Sequence, residues 1–305
     1  MTNLLETLTP KEFLNSKLQK SQNLENLSSL PIRKDNRTLY SARKLHFKEN
    51  VLSSIKHQNL KKSSISVQKG NTSIITTLSI EIATTKSNEP VGHTGGYIIP
   101  NIEMHINANP IMKAGGKPLE SVQILNSLLS QVLNVKGKKF LPENCLSIAG
   151  AENNYCLICF IDVAVLCDDG GILDLAMLSI SKLFNRGVEI PVMKYDRSLG
   201  QLYSTNSYQK IQICTQFLPL SLTFSIFQGP DDTEKSSFLF LDPTYEESLL
   251  SNNNQLTIFG TVCGEILIVE QMGQGVDQEQ YFEAVKIAKE HFVEVGQKFL
   301  GLGEN

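Results

Sequence analysis

The chain has 305 residues, 41% of them hydrophobic, and a formal net charge of -3. This composition supports one large or two medium-sized domains and excludes a chain that attracts nucleic acid through its overall charge. The charge is uneven, however, because residues 1–70 hold 13 Lys and Arg against 5 Asp and Glu. This basic N-terminal part could contact an acidic partner or phosphates, or simply be a solvated surface.

Strands are predicted where short runs of β-branched and aromatic residues are bounded by turn residues. In chain order they cover residues 64–68, 73–82, 96–106, 145–149, 155–167, 190–192, 216–228, 238–241, 256–262 and 265–271. Hairpin turns are predicted at Lys69-Gly70-Asn71-Thr72 and at Thr261-Val262-Cys263-Gly264. The lysine-rich segment 51–63 is predicted to be a surface loop.

Helices are predicted at four places where apolar residues recur at a spacing of three or four. The first starts with Thr9-Pro10-Lys11-Glu12, a typical helix start, and ends near Lys20. Two others cover residues 119–134 and 173–184. The last begins at Asp277, with Gln280 placed for a capping box and Phe282 on the predicted core face.

The segment from Tyr155 to Phe184 is the most informative part of the sequence. Tyr155 to Cys167 is almost wholly apolar, which predicts a strand buried on both faces and a carboxylate, Asp162, that needs a partner. Asp168-Asp169-Gly170-Gly171 then breaks the strand before helical spacing begins. Backbone N–H groups at such a helix start can bind phosphate, but glycine turns that only redirect the chain between a strand and a helix are commonplace.

Together these elements predict an α+β fold of two tandem ββαβα-type halves, with mixed sheets packed against long helices. The predicted divisions are an N-terminal helix and linker over residues 1–30, a first domain over 31–190 that includes the loop 51–63, and a second domain over 191–305.

The cysteines and histidines do not predict a metal site. Cys156 and Cys159 are three residues apart within a predicted strand, so their thiols point to opposite faces and are expected to be buried and free. Free thiols fit a reducing compartment, and neither a signal peptide nor a membrane span is predicted. No cofactor is predicted, because the five histidines, His46, His57, His93, His105 and His291, show no ligand spacing.

Four motifs in the same order resemble those of RNase PH-like proteins, and most of all the RNase PH-like ring subunits of the eukaryotic RNA exosome. They are Arg33-Lys34-Asp35-Asn36-Arg37, Lys69-Gly70-Asn71-Thr72, Asp168-Asp169-Gly170-Gly171-Ile172-Leu173-Asp174 and Leu241-Asp242-Pro243-Thr244-Tyr245-Glu246-Glu247. The resemblance implies the two-domain fold of that family. It is weakest over residues 20–63.

The resemblance also implies a lost activity, the degradation of RNA from its 3′ end with phosphate as nucleophile. Active members carry a phosphate-binding Thr-Arg pair where this chain has Ile172 and Leu173. Residues 119–134 lack the expected Arg, and residues 251–255 lack the expected catalytic Asp. Two alternatives stay open: an active phosphorolytic exoribonuclease in which Arg186 or Arg197 replaces the lost cations, and a free RNA-binding module.

As a ring subunit, the chain would assemble with other RNase PH-like subunits, with S1/KH-type cap subunits and with a separate nuclease. It would act in the nucleus, nucleolus and cytoplasm, in the processing and degradation of RNA. In relatives, basic residues of the loop before the long helix line the pore, which implies RNA contacts for Lys113 and Lys117. Two solvated loop lysines are the plain alternative. Glu246 and Glu247 are expected to be solvated.

Overall fold

The structure is a computed structural model that describes most of the chain. The described residues are 14, 33–52, 63–84, 97–105, 107–108, 120–134, 141–142, 145–148, 155–196, 198–211, 213–228 and 237–301. The predicted helix from Thr9 to Lys20 lies outside them except for Leu14, which is helical and buried against Leu39, Phe227 and Phe240. Among the described helices, none is long and apolar enough to cross a membrane.

The first sheet has five strands in the order β1-β2-β3-β5-β4. All neighbours are antiparallel except β4 and β5, which run parallel. The strands are β1 (Leu45–Glu49), β2 (Ser63–Lys69), β3 (Thr72–Thr84), β4 (Tyr97–Met104) and β5 (Tyr155–Cys167).

The second sheet has four antiparallel strands in the order β11-β10-β8-β9, and a two-stranded ribbon, β6 and β7, precedes it in the chain. The bounds are β6 (Glu189–Asp196), β7 (Gln201–Lys210), β8 (Pro219–Gln228), β9 (Ser237–Leu241), β10 (Gln255–Thr261) and β11 (Ile266–Met272). The polar sequence of β7, QLYSTNSYQK, hides it from pattern analysis, because no apolar alternation marks the strand.

Four described α-helices and a short 3₁₀ helix (Thr215–Phe217) accompany the sheets. The α-helices are α1 (Glu120–Leu133), α2 (Ile172–Asn185), α3 (Tyr245–Leu250) and α4 (Gln278–Leu300). The predicted α+β class, with sheets packed against long helices, is confirmed. Helix α2 lies between the sheets, in contact with β2, β3 and β8, and is buried along almost its whole length. It also joins α4, because Lys182 and Asn185 donate to the carbonyls of Phe299 and Leu300 at the end of that helix.

Several local predictions are wrong for identifiable reasons. β5 is buried on one face only over its second half, so Asp162 is exposed and needs no partner. Residues 145–149 contribute only an isolated bridge, between Ser147 and Cys156, to the described part of the chain. Gln280 donates to Ser237 instead of closing a capping box, and Phe282 is 60% exposed rather than in the core.

Candidate functional site

The glycine turn between β5 and α2 lies against the second domain. Gly170 and Gly171 have φ values of 84° and 72°, in the left-handed region that favours glycine. A Cβ on Gly170 would lie 2.5 Å from the carbonyl oxygen of Pro243. Thr72, the first residue of β3, fixes the loop by donating to the Gly170 carbonyl and accepting from the Asp169 N–H. Glycine is therefore required here by conformation and by close approach.

All four sequence motifs meet beside this turn in one charge cluster. Its members come from the N-terminal segment, β2, the glycine turn, the start of α2 and the connection from β9 into α3. They are Arg33, Arg37, Arg43, Lys69, Asp169, Asp174, Asp242 and Glu247. Four cations thus face four carboxylates. The sequence showed the motifs, but not that they converge.

Asp242 is the centre of the charge cluster and is fully buried. Its Oδ1 lies 2.8 Å from both Lys69 Nζ and Arg43 Nη2, and its Oδ2 accepts from Arg43 Nε at 3.0 Å. Burial opposes ionisation, but Lys69 and Arg43 outweigh it and hold the pKa of Asp242 well below its usual range. The carboxylate therefore stays charged and binds both cations.

The remaining donors of Arg43 are engaged by the glycine turn itself. The guanidinium donates to the carbonyl of Asp169 at 2.6 Å and to that of Gly170 at 3.1 Å. The Oδ2 atom of Asp169 lies 3.5 Å from Nη1 of the same guanidinium. Partial burial nevertheless raises the pKa of Asp169, with Arg43 acting in the opposite direction.

Arg33 is also fully buried and connects the N-terminal segment to α3. Its guanidinium forms a forked pair with Glu247 and donates to the carbonyls of Leu241 and Asp242 at 2.6 and 2.9 Å. The prediction that Glu247 is solvated is wrong, because this pair buries it to 7% exposure. Glu246 is exposed, as predicted, and pairs with the exposed Lys34.

Asp174 faces the second sheet from the first turn of α2. Its carboxylate accepts from the Ser221 hydroxyl at 3.0 Å and from the backbone N–H and hydroxyl of Thr223 at 3.0 and 3.1 Å. Lys69 Nζ lies 3.8 Å away. These partners explain how a carboxylate can lie buried between two layers.

Ile172 and Leu173, the predicted degenerate phosphate site, begin α2 and are only 7% and 5% exposed. Both belong to the hydrophobic core and present no side-chain donor to a ligand. Every Lys and Arg of the charge cluster is matched by a carboxylate. This arrangement stabilises the junction of the two domains and offers phosphate no unengaged cation.

Arg186, one of the two proposed replacement cations, lies at the opposite end of α2. A helix of 14 residues rises about 1.5 Å per residue, which separates its ends by roughly 20 Å. Arg186 pairs there with Glu49, at 3.4 Å, and donates to Asn50. Arg197 lies outside the described residues, as do Lys113 and Lys117.

Residues 251–255, where a catalytic carboxylate was sought, form a turn rich in Asn. Asn252 and Asn253 adopt left-handed conformations with φ of 55° and 56°, which Asn tolerates better than most residues. Asn254 is 4% exposed, and its Oδ1 is without a hydrogen-bond partner in the described structure. It lines a small polar cavity of about 160 Å³. The described residues that line this cavity carry only neutral side chains.

Metal chemistry has no site in the described ranges, where no cluster of three His, Cys, Asp or Glu has ligand geometry. Cys156 and Cys159 are buried, as predicted, and neither forms a disulfide. Burial raises the pKa of the Cys159 thiol to about 12, so it is a neutral core group.

The fold and the converging motifs define a protein of the RNase PH class. The chain belongs to the 3′ exoribonuclease family, with domain 1 matching residues 41–182 and domain 2 matching residues 218–291. It has the two-domain RNase PH-like fold.

Among curated proteins, the chain is similar to archaeal exosome complex components named Rrp42. The protein from Methanosarcina mazei is 23% identical over 92% of this chain and 93% of its own length. That from Methanosarcina acetivorans is 24% identical over 88% of each. Among solved structures, a chain of the Archaeoglobus fulgidus exosome with RNA bound to the active site matches with a TM-score of 0.68 at 20% identity, covering 95% of this chain and 99% of that one.

Proposed function

We propose that this chain is a non-catalytic structural subunit of an exosome ring. One observation carries the proposal: the four cations of the charge cluster are all paired with carboxylates, while Ile172 and Leu173 fill the start of α2 with apolar side chains. Phosphorolysis needs cationic groups that are available to hold phosphate and stabilise developing negative charge. The similarity to archaeal exosome components over nearly the whole chain supports the assembly.

The proposed assembly is a six-membered ring of different RNase PH-like subunits. Within it, the sequence most resembles the eukaryotic subunit called ribosomal RNA-processing protein forty-three, on Leu8-Thr9-Pro10-Lys11-Glu12-Phe13 and on residues 96–103. S1/KH-type cap subunits and a separate nuclease would complete it in the nucleus, nucleolus and cytoplasm. Its work would be to scaffold the RNA channel for ribosomal RNA maturation, messenger RNA turnover and surveillance.

We further propose that Lys113 and Lys117 contact RNA in the central channel. Lysine suits sequence-independent contact with phosphates, which a channel for any RNA requires. Charge reversal at both positions is expected to shorten the RNA segment that an assembled ring protects from nuclease. Unchanged protection would refute this contact and leave the scaffold proposal intact.

Two measurements test the scaffold proposal. The first is the native mass of the tagged chain purified from its own cells, with identification of its partners. One copy beside other RNase PH-like and cap proteins is expected, whereas a homo-hexamer would favour an enzyme and a lone monomer an RNA-binding module. The second is phosphate-dependent release of nucleoside diphosphates from RNA by the purified chain, for which no activity is expected.

An active phosphorolytic exoribonuclease remains the second candidate, since the chain belongs to a family of 3′ exoribonucleases. Its replacement cation could not be Arg186, which pairs with Glu49 at the opposite end of α2. Arg197 would have to supply the charge. Phosphorolysis that disappears in Arg197→Ala would establish this candidate and refute the scaffold.

A further inference from the structure

A cavity of about 560 Å³ lies between the two domains, and its lining includes neither Ile172 and Leu173 nor residues 251–255. Its walls come from the N-terminal segment and β1, from the inner face of α2, from β8 and from the last turns of α4. This volume is typical of small-molecule sites. The proposed scaffold role makes no use of it.

The floor of the cavity is polar. Asp174, Ser221 and Lys69 lie there, each no more than 7% exposed. His291 reaches the same region from α4, and its imidazole makes no hydrogen bond to any residue in the described part of the chain. Burial, with Lys69 nearby, lowers the pKa of His291, so a neutral ring with one donor and one acceptor faces the cavity.

The walls between floor and mouth are apolar and partly aromatic. They consist of Leu175, Leu178, Leu220, Leu222, Phe292 and Phe299. A flat ring system suits such walls, whereas a plain hydrocarbon chain would desolvate the His291 imidazole without giving it a hydrogen-bond partner.

The mouth is basic. Lys44, His46 and Lys298 are exposed there, and none of them forms an ion pair with another described residue. Two ammonium groups in this position suit a phosphate. Glu294 is the exposed acid of the described mouth, and its carboxylate can accept from hydroxyl groups.

We propose that this cavity binds a nucleoside monophosphate. The phosphate lies between Lys44 and Lys298, the ribose hydroxyls donate to Glu294, and the base enters between the apolar walls. His291 bonds the polar edge of the base. The order of groups from mouth to floor therefore matches the order of groups in the ligand.

The test is isothermal titration calorimetry, in which AMP or UMP is titrated into the full chain in the assembly with which it purifies. We expect saturable binding with one site per chain. Lys298→Glu should weaken it at least about tenfold, the usual weight of one charge-assisted hydrogen bond. Lys286→Glu, which reverses an exposed lysine of α4 outside the cavity, should change the affinity less than about twofold.

Further probes separate the parts of the ligand. His291→Leu should weaken AMP without changing the affinity for inorganic phosphate, and Glu294→Gln should weaken AMP more than its 2′,3′-dideoxy analogue. Absence of binding at millimolar AMP and UMP would overturn the proposal. So would decanoate binding more tightly than AMP, or inorganic phosphate binding equally well. None of these outcomes depends on whether the chain is a ring scaffold.

Discussion

Arg43 and Asp242 join the two domains through a forked contact in which one guanidinium donates to both carboxylate oxygens, at 2.8 and 3.0 Å. The same guanidinium donates to the carbonyls of Asp169 and Gly170 in the glycine turn. One arginine therefore fixes the N-terminal segment, the start of α2 and the second domain together. Asp242 is the charge on which this junction depends.

The depressed pKa of Asp242 predicts a specific loss of stability in acid. In the unfolded chain its carboxyl takes up a proton near pH 3.9, while in the folded chain it stays ionised well below that value. The unfolded state thus binds more protons. The contribution of Asp242 to the free energy of unfolding is therefore present above the unfolded pKa, about pH 4, and is lost as the pH falls further. Urea titrations between pH 6 and pH 3 measure this slope.

Asp242→Asn is the matching variant. It leaves Arg43 and Lys69 without their shared charge and is expected to lower stability at pH 7 by about 3–5 kcal/mol. Its stability should then fall less steeply than that of the unmodified chain between pH 5 and pH 3. An unchanged slope would show that Asp242 does not carry the acid sensitivity.

Arg33 and Glu247 form a buried pair whose disruption should be costly. Arg33→Met removes the cation and leaves Glu247 charged and buried, which costs about 3–5 kcal/mol in the free energy of unfolding. The exposed pair of Lys34 and Glu246 is the matched control, because Lys34→Met should change stability by no more than about 1 kcal/mol. Equal effects of the two substitutions in urea denaturation would contradict the buried role of Arg33.

Much of this fold follows from local patterns, and the errors follow from tertiary contacts. Apolar runs in the sequence predict β5, β8 and β10, and helical spacing of apolar residues predicts α1, α2 and α4. β7 is not predicted, because its residues are polar. α3 is not predicted, because a segment of six residues is too short to show a helical spacing of apolar residues. A β-strand pattern cannot tell one buried face from two, which is why Asp162 was misplaced.

The candidate site shows the same division. The motifs identified its members, since Lys69, Asp174, Asp242 and Glu247 all lie within them. No sequence spacing could show that Glu247 pairs with Arg33, 214 positions away, because that contact exists only after the domains pack. Arg43 and His291 lie outside every motif, and only the packing of the two domains brings them to the cavity.

Gly170 should tolerate no side chain. Gly170→Ala combines a φ of 84° with a Cβ only 2.5 Å from the Pro243 carbonyl, so the second domain must shift. We expect a loss of at least about 2 kcal/mol in the free energy of unfolding. Gly275→Ala is the control, since a Cβ there meets nothing within 4 Å, and it should be neutral or slightly stabilising. Thermal unfolding that ranks the two variants in reverse order would refute the assigned contact.

Introducing Thr and Arg at positions 172 and 173, the phosphate-binding pair that the resemblance to RNase PH-like proteins implies for active members, should not produce an active enzyme. Ile172→Thr with Leu173→Arg places a cation in the core, where Leu173 is 5% exposed. The Tm of the double variant should therefore be several °C lower than that of the unmodified chain. Phosphate-dependent release of nucleoside diphosphates from RNA should stay at background, because the neighbouring cations remain paired and residues 251–255 still lack a carboxylate. Adding Asn254→Asp supplies that carboxylate. Activity that already appears in the double variant would show that the paired cations are still available to phosphate and would overturn the non-catalytic interpretation. Activity that appears only after Asn254→Asp is added would assign the missing function to position 254.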